Sequence, residues 1–301
     1  MSSELALKLE LVRILSKHDE IPISEVVKEI GVQQDELLSM INELSRYYLM
    51  EVTRSRVSWS PGDNPRRLKP WGWNYLYRII TGSTMASAKQ MPPWSIVVSE
   101  MQTHGRGRHG KTWIGNLGGL WITFKINTTP QVTQVLPIAV PVLLVRMLRD
   151  KLGINVEIKW PNDIIFRDKK IAGILLEGEY KESVMVSYIG VGINVNNDPP
   201  LEVAESIKNI VGHLIPRNRI LSYLSGWIGR LDRLAGKPDE LRREYMEHLS
   251  TLGRKVIAMT SNGEIQGIAK DVTEYGELII ENESGSHRLS SGEILRLRHA
   301  E

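Results

Sequence analysis

Gly105-Arg106-Gly107-Arg108-His109-Gly110-Lys111-Thr112 is the stretch on which the fold turns. Letter for letter it satisfies G-x-x-x-x-G-K-[ST], the loop with which P-loop nucleotidases wrap phosphate. In such a fold a helix begins at the Lys-Thr, because its free amides and dipole hold the phosphate. Here the next residues are Trp113-Ile114-Gly115-Asn116-Leu117-Gly118-Gly119, and three glycines in five residues oppose a helix. A strand-like run, Leu120 to Ile126, comes next. The segment therefore reads as a basic loop between strands, not as a P-loop. From His104 to Lys111 it holds three fixed positive charges, three glycines and no acid. Glycines let backbone approach a ligand closely, and paired arginines suit phosphate. A solvated basic turn is the alternative. An RGG-like RNA-binding stretch would be longer and repeated.

Outward from the loop, Ser95 to Ser99 reads as a strand and Pro137 to Leu152 as an apolar helix. Ile154 to Trp160 is strand-like, and residues 164–176 form a hairpin turning at Asp168-Lys169. Val184 to Ile189 is a further strand, and two helices near 219–235 and 238–250 close the section. Helices mixed with adjacent hairpins predict an α+β domain with a mixed sheet over residues 73–250. Residues 61–72, rich in proline, glycine and charge, read as a linker. Residues 1–60 predict three short helices and a hairpin turning at Arg54-Ser55, the outline of a winged helix–turn–helix domain. Residues 251–301 are short strands between turns such as Asn262-Gly263 and Tyr275-Gly276, an SH3-like β-barrel by pattern.

The chain has 301 residues, 42% of them apolar and 24% charged, which is ordinary globular composition. No uninterrupted apolar run approaches the ~18 residues of a membrane span. Met1-Ser2-Ser3-Glu4 does not begin a secretory signal, so a cytoplasmic protein is expected. The absence of cysteine excludes disulfides, thiol catalysis and thiolate zinc sites. Net charge is −3 over residues 1–60, +8 over 61–250 and −2 over 251–301, so an anionic substrate is expected in the middle.

Four segments in order carry a resemblance. They are Gly105 to Trp113, Lys159-Trp160-Pro161-Asn162-Asp163, Lys169-Lys170-Ile171-Ala172-Gly173-Ile174-Leu175-Leu176-Glu177, and Gly190-Val191-Gly192-Ile193-Asn194-Val195-Asn196. Together they resemble the biotin protein ligases, the biotin–[acetyl-CoA-carboxylase] ligases. The likeness is strong over about residues 75–200 and weaker through Gly292-Glu293-Ile294. The N-terminal unit resembles that of the bifunctional ligase-repressor members. The resemblance implies a biotin/lipoate ligase-like catalytic domain. It implies activation of biotin by ATP, with Mg2+, to biotinyl-5′-AMP. The biotinyl group then passes to a lysine of a biotin carboxyl carrier protein.

The resemblance also implies site residues. Arg106, Arg108 and Lys170 are the catalytic cations, because a carboxylate attacking a phosphate needs fixed positive charge where the two anions meet. The loop with Gly105 and Gly107 folds over the intermediate as a lid. Ser83, Thr84 and Gln102 serve the ureido ring of biotin, although Ser83-Thr84 alone reads first as a helix cap, a role that can coexist with the other. Trp113 and Leu175 line the apolar wall, and Asn194 lies near the adenylate phosphate. Asp163 is a metal-binding or lysine-positioning carboxylate, or a turn cap. The family's Ser-Thr-Asn is Ser83-Thr84-Met85 here, so one ureido contact is lost or supplied by another group.

Two other functions compete: a winged-helix regulator whose central domain only senses a small molecule, and a lipoate or octanoyl ligase-transferase. A homodimer is expected by resemblance. DNA binding is disfavoured on charge: the helix Gln34 to Leu44 carries Asp35, Glu36 and Glu43 and no basic residue. Against this, Gln33, Gln34 and Asn42 suit adenine edges, and Arg46, Arg54 and Arg56 suit phosphates.

Overall fold

The computed structural model describes residues 2–299. The N-terminal unit contains α1 (Ser3–Lys17), β1 (Ile21–Pro22), α2 (Ile23–Ile30), α3 (Gln34–Leu44), β2 (Met50–Val52) and β3 (Arg56–Trp59). Its strands pair antiparallel in the order β1-β3-β2. Helical spacing puts Leu11, Val12, Ile14 and Leu15 of α1 on one face, fully buried against Val26, Leu37, Ile41, Leu44 and Trp59. Gly31, in the left-handed region at φ 80°, ends α2. The predicted hairpin is present. β1 is too short for any periodicity to announce.

The central domain comprises β4 (Asn74–Thr81), α4 (Thr84–Lys89), β5 (Ser95–Arg106), β6 (Thr112–Gly115), β7 (Leu120–Thr128), α5 (Pro130–Arg146), β8 (Glu157–Lys159), β9 (Asp163–Phe166), β10 (Lys169–Lys181), β11 (Val184–Ile193), α6 (Ile207–Val211), α7 (Arg217–Ile228), α8 (Leu231–Ala235) and α9 (Pro238–Glu247). The sheet runs β4-β5-β7-β11-β10-β9-β8, with β6 also on β5. Only the β4–β5 pair is parallel, so the sheet is mixed, as expected. Thr112 opens a strand rather than a helix, which removes the P-loop reading.

α5 begins at Pro130, about two turns before the sequence suggests, and continues as a π-helical turn over Met147–Lys151. The span Pro130–Lys151 has 22 residues and a mean hydropathy of 1.6, long and apolar enough to cross a membrane. The expectation that no such segment exists is corrected here, since isolated threonine and glutamine break the apolar run without lowering its mean. The helix lies against the sheet, with Ile138 to Val145 almost wholly buried, and forms the centre of the main core.

The C-terminal strands β12 (Lys255–Thr260), β13 (Gly263–Val272), β14 (Leu278–Asn282), β15 (Gly285–Leu289) and β16 (Ile294–His299) form an antiparallel sheet ordered β15-β14-β13-β12-β16. Val256, Ala258, Val272, Leu278, Ile280 and Ile294 belong to the same hydrophobic cluster as α5. The Trp160 indole donates to Gly276 O at 2.8 Å and fastens the module further.

The stretch 61–72 is not a free tether over its first half: Asp63 and Asn64 are fully buried. Arg217, at the start of α7, is fully buried beside them. Its Nε donates to Asp63 Oδ1 at 2.9 Å and its Nη1 to Glu100 Oε2 at 2.7 Å. Tyr48 and Tyr77 donate to the two oxygens of Glu100 at 3.0 and 2.9 Å, and Trp59 Nε1 donates to Asp63 Oδ2 at 2.8 Å. Burial opposes the charge on Arg217, but Asp63 and Glu100 hold its pKa well above the ordinary arginine value. Burial, then Glu100, pushes both phenols up. The network joins the N-terminal unit, β5 and α7.

Candidate active site

One cleft of about 200 Å³ lies where α4, β5, the basic loop, β10 and β11 meet. Its lining gathers Ser83, Thr84, Gln102, Arg106, Gly107, Arg108, Trp113, Asp163, Lys170 and Leu175, which lie as far as 92 positions apart in the chain. Arg106, Arg108, Lys111 and Lys170 give it four fixed cations, and among the described residues Asp163 is its one carboxylate.

The polar end is built on β5 and α4. Gln102 Oε1 accepts from the Thr84 N–H at 2.8 Å and from the Thr84 hydroxyl at 3.1 Å. Thr123 donates to the Thr84 hydroxyl at 2.9 Å. Ser83 is the N-cap residue of α4, as the cap reading expects, but its side chain makes no capping hydrogen bond and its buried hydroxyl lines the cleft. Met85 is buried, packs with Ala88, Val97, Val186 and Tyr188, and also lines the cleft. Lys125, almost wholly buried, donates to Lys89 O at 3.1 Å and to Met91 O, holding the far end of α4.

At the charged end, Lys170 sits where the register between β9 and β10 shifts. A bulge turns a side chain out of the pleat's alternation. Lys170 Nζ lies 2.7 Å from Asp163 Oδ1 and 4.9 Å from the centre of the Trp113 ring. Of the three roles open to Asp163, the geometry matches lysine positioning. No group of three or more metal-ligating side chains occurs among the described residues. The main chain of Lys170 is held as well, its N–H donating to Val203 O at 2.8 Å and its C=O accepting from Glu205 N at 2.9 Å.

Trp113 lies over two glycines. A Cβ at Gly173 would come 2.7 Å from Trp113 and 3.0 Å from Lys170 Nζ, and one at Gly192 would come 2.6 Å from Trp113. Trp113 also stacks edge-on with Trp121, centroids 6.0 Å apart.

Three expected residues stand differently. Arg108 does not point its guanidinium at open space. It donates to Ser291 O, to Ile294 O at 3.1 Å and to Asn162 at 3.5 Å, tying the loop to the C-terminal module. Burial lowers its pKa. Gly105 is not on the cleft surface; it lies under Trp113 O, where a Cβ would come within 2.4 Å. Asn194 is buried beside the cleft rather than in its lining, and its Oδ1 accepts from Asn197 at 3.0 Å. Sequence reasoning missed Thr123, Asn162, Gly173, Gly190, Gly192 and Leu295 as lining residues. Glycines inside strand patterns signalled the close approaches. Nothing local signalled Leu295.

Residues 80–194 match the Biotin/lipoate A/B protein ligase family, and residues 251–297 match the Biotin protein ligase C terminal domain. The chain is 30% identical over 254 residues to the bifunctional ligase/repressor BirA of Bacillus subtilis, covering 74% of each. It is 27% identical to the biotin–[acetyl-CoA-carboxylase] ligase of Paracoccus denitrificans, over 71% of this chain and 97% of that one. The biotin protein ligase of Aquifex aeolicus, solved with biotin and ATP, superposes with a TM-score of 0.64 at 28% identity, over 75% of this chain and 99% of that one. The chain belongs to the biotin/lipoate A/B protein ligase family, among its biotin protein ligases.

Proposed function

We propose that this cleft joins biotin to ATP and passes the biotinyl group to a lysine of a biotin carboxyl carrier protein. The observation that carries the reading is the gradient within one cleft: hydroxyl and amide groups at one end, four cations at the other. The ureido ring exchanges hydrogen bonds with Ser83, Thr84 and Gln102, while Trp113 and Leu175 cover the tail. A biotin carboxylate oxygen then bonds to the α-phosphorus as the bridge to the β-phosphate breaks, and pyrophosphate leaves. Lys170 and Arg106 offset the charge that builds where the two anions meet, and a charge already in place needs no reorganisation. Asp163 keeps the Lys170 ammonium aimed. The carrier amine attacks the acyl carbon, AMP leaves and the amide forms.

A magnesium ion accompanying the triphosphate would be held by phosphate oxygens and waters and would offset their charge. Asp163 is the one carboxylate of the cleft able to add to that set. Asn194 acts from behind, fixing the turn after β11.

Residues 1–60 are read as a winged helix–turn–helix domain, 73–250 as the catalytic domain and 251–301 as an SH3-like module. A homodimer and a repressor role are supported only by names of relatives such as the Bacillus subtilis ligase/repressor. On α3, Asp35 and Glu36 are exposed, which opposes DNA phosphates. An anisotropy titration with genomic fragments, biotin and ATP tests repression; salt-sensitive nanomolar binding to one palindrome would establish it. The ligase reading is tested by mixing protein, biotin, Mg-ATP and a carrier domain. A biotin-sized mass gain on the carrier supports it, and the lipoyl or octanoyl alternative predicts none with biotin.

A further inference from the structure

Lys125, on β7, is 3% exposed and makes no ion pair among the described residues. A lysine so deep in a protein is ordinarily paired with an acid. Here the nearby carboxylates serve other groups. Glu177 lies 2.7 Å from Lys89 Nζ, while Glu179 accepts from the Tyr188 hydroxyl at 2.6 Å and lies 3.2 Å from Lys181 Nζ. The Lys125 ammonium donates instead to Lys89 O at 3.1 Å and to Met91 O, and lies 5.4 Å from the centre of the Tyr188 ring. Burial, and then Lys181, lower its pKa against the pull of Glu179. Carbonyls at the end of a helix have no partner within it, and a cation is their complement. A methionine would fill the same space without the cost of burying a charge, so the charge at this position serves the two carbonyls.

α4 has six residues, about 9 Å of helix, and a helix that short is held by its surroundings. Both of its ends are tied to one strand. Thr123 donates to the Thr84 hydroxyl at 2.9 Å at the first turn, and two residues on, on the same face of β7, Lys125 holds the far end. On β11 the register sets Gly190 opposite Thr123 and Tyr188 opposite Lys125. Met85 rests on both, since a Cβ at Gly190 would come 2.9 Å from its methyl carbon and it clusters with Tyr188. Ser83, Thr84 and Met85 line the cleft, whereas Lys125 lies behind it, outside the lining.

We infer that Lys125 is a positioning residue for biotin: by holding the end of α4 it sets the tilt of that helix, and so the place of the Ser83 and Thr84 hydroxyls that meet the ureido ring. The inference rests on the ligase reading. The effect falls on one substrate alone, because the cations that face the triphosphate stand on the basic loop and β10, away from α4.

The test uses the full chain, biotin-dependent pyrophosphate exchange and scanning calorimetry. Lys125→Met keeps the length and the apolar stem and removes the donor. KM for biotin should rise about tenfold, the scale of a lost charge-assisted hydrogen bond. KM for ATP and kcat at saturating biotin should stay at wild-type values, and the melting temperature should hold or rise, since a buried charge is gone. An unchanged KM for biotin would overturn the proposal. A fall in melting temperature and kcat, with both KM values moving together, would make Lys125 a support of the fold at large and overturn it too. A wild-type chain without biotin-dependent exchange would overturn the ligase reading itself, and this role with it.

Discussion

In the proposed reaction much of the chemistry rests on Lys170 and its supports. The ammonium is aimed by Asp163 and backed by the Trp113 ring, and its main chain is pinned from both sides. Lys170→Ala should slow adenylate formation by roughly 100-fold or more, the scale of removing one preorganised charge stabiliser. Pyrophosphate exchange measures this, and a near-normal rate would remove Lys170 from the reaction. Gly173→Ala tests the support: the new methyl meets both Trp113 and Lys170 Nζ. Adenylation should fall while the melting temperature stays within a few degrees. Equal activity would mean that the indole and lysine have room to step aside. Met85 stands in an apolar cluster, not at an empty hydrogen-bond position. Met85→Asn should therefore cost about 1–3 kcal/mol of stability, as an amide buried without a partner does. Calorimetry should show no tighter biotin binding; a gain would mean that the ureido ring reaches the new amide.

At the scale of elements, the basic loop is the informative case. The glycines after Thr112 marked residues 113–119 as non-helical, which holds in β6, and the loop that its composition marked as ligand-facing lines the cleft. Its latch was not legible, because the partners of Arg108 are main-chain carbonyls at Ser291 and Ile294, and carbonyls leave no trace in residue type. Leu295 and β1 were hidden for related reasons: one is brought by tertiary packing, the other spans two residues. The hairpin from β9 to β10 was legible from its two apolar runs, but its two-residue turn falls at Arg167-Asp168, both at positive φ, one residue before the expected Asp168-Lys169. Arg108→Gly should free the loop from the C-terminal module. The released intermediate would then biotinylate unrelated proteins, measured as loss of acceptor specificity on a mixed substrate. Retention of the adenylate as long as in wild type would show that the latch is idle.

For the whole molecule, the N-terminal unit is bonded into the enzyme and not appended to it. Tyr48 and Trp59 reach the buried Glu100 and Asp63, and Ile79 and Leu117 of the central domain pack on the N-terminal core. Deleting residues 1–60 should lower the melting temperature and shorten adenylate retention, because water then reaches β5 two residues from Gln102. A truncated chain of wild-type stability and retention would refute that coupling. Arg217→Met should be harsher, about 3–5 kcal/mol, since it strands two buried carboxylates. Chemical denaturation reads the loss directly.

The same junction sets a rule for building hybrids. Swapping in a foreign N-terminal unit grafts a surface onto two acids, already bonded to one guanidinium, that still need specific donors. A chimera would need a phenol at position 48 and an indole at 59, each within reach of the carboxylate it now serves. Without them the recipient inherits buried carboxylate oxygens short of a donor beside β5, so compatible donors should be sorted by those two aromatic positions before overall similarity is considered.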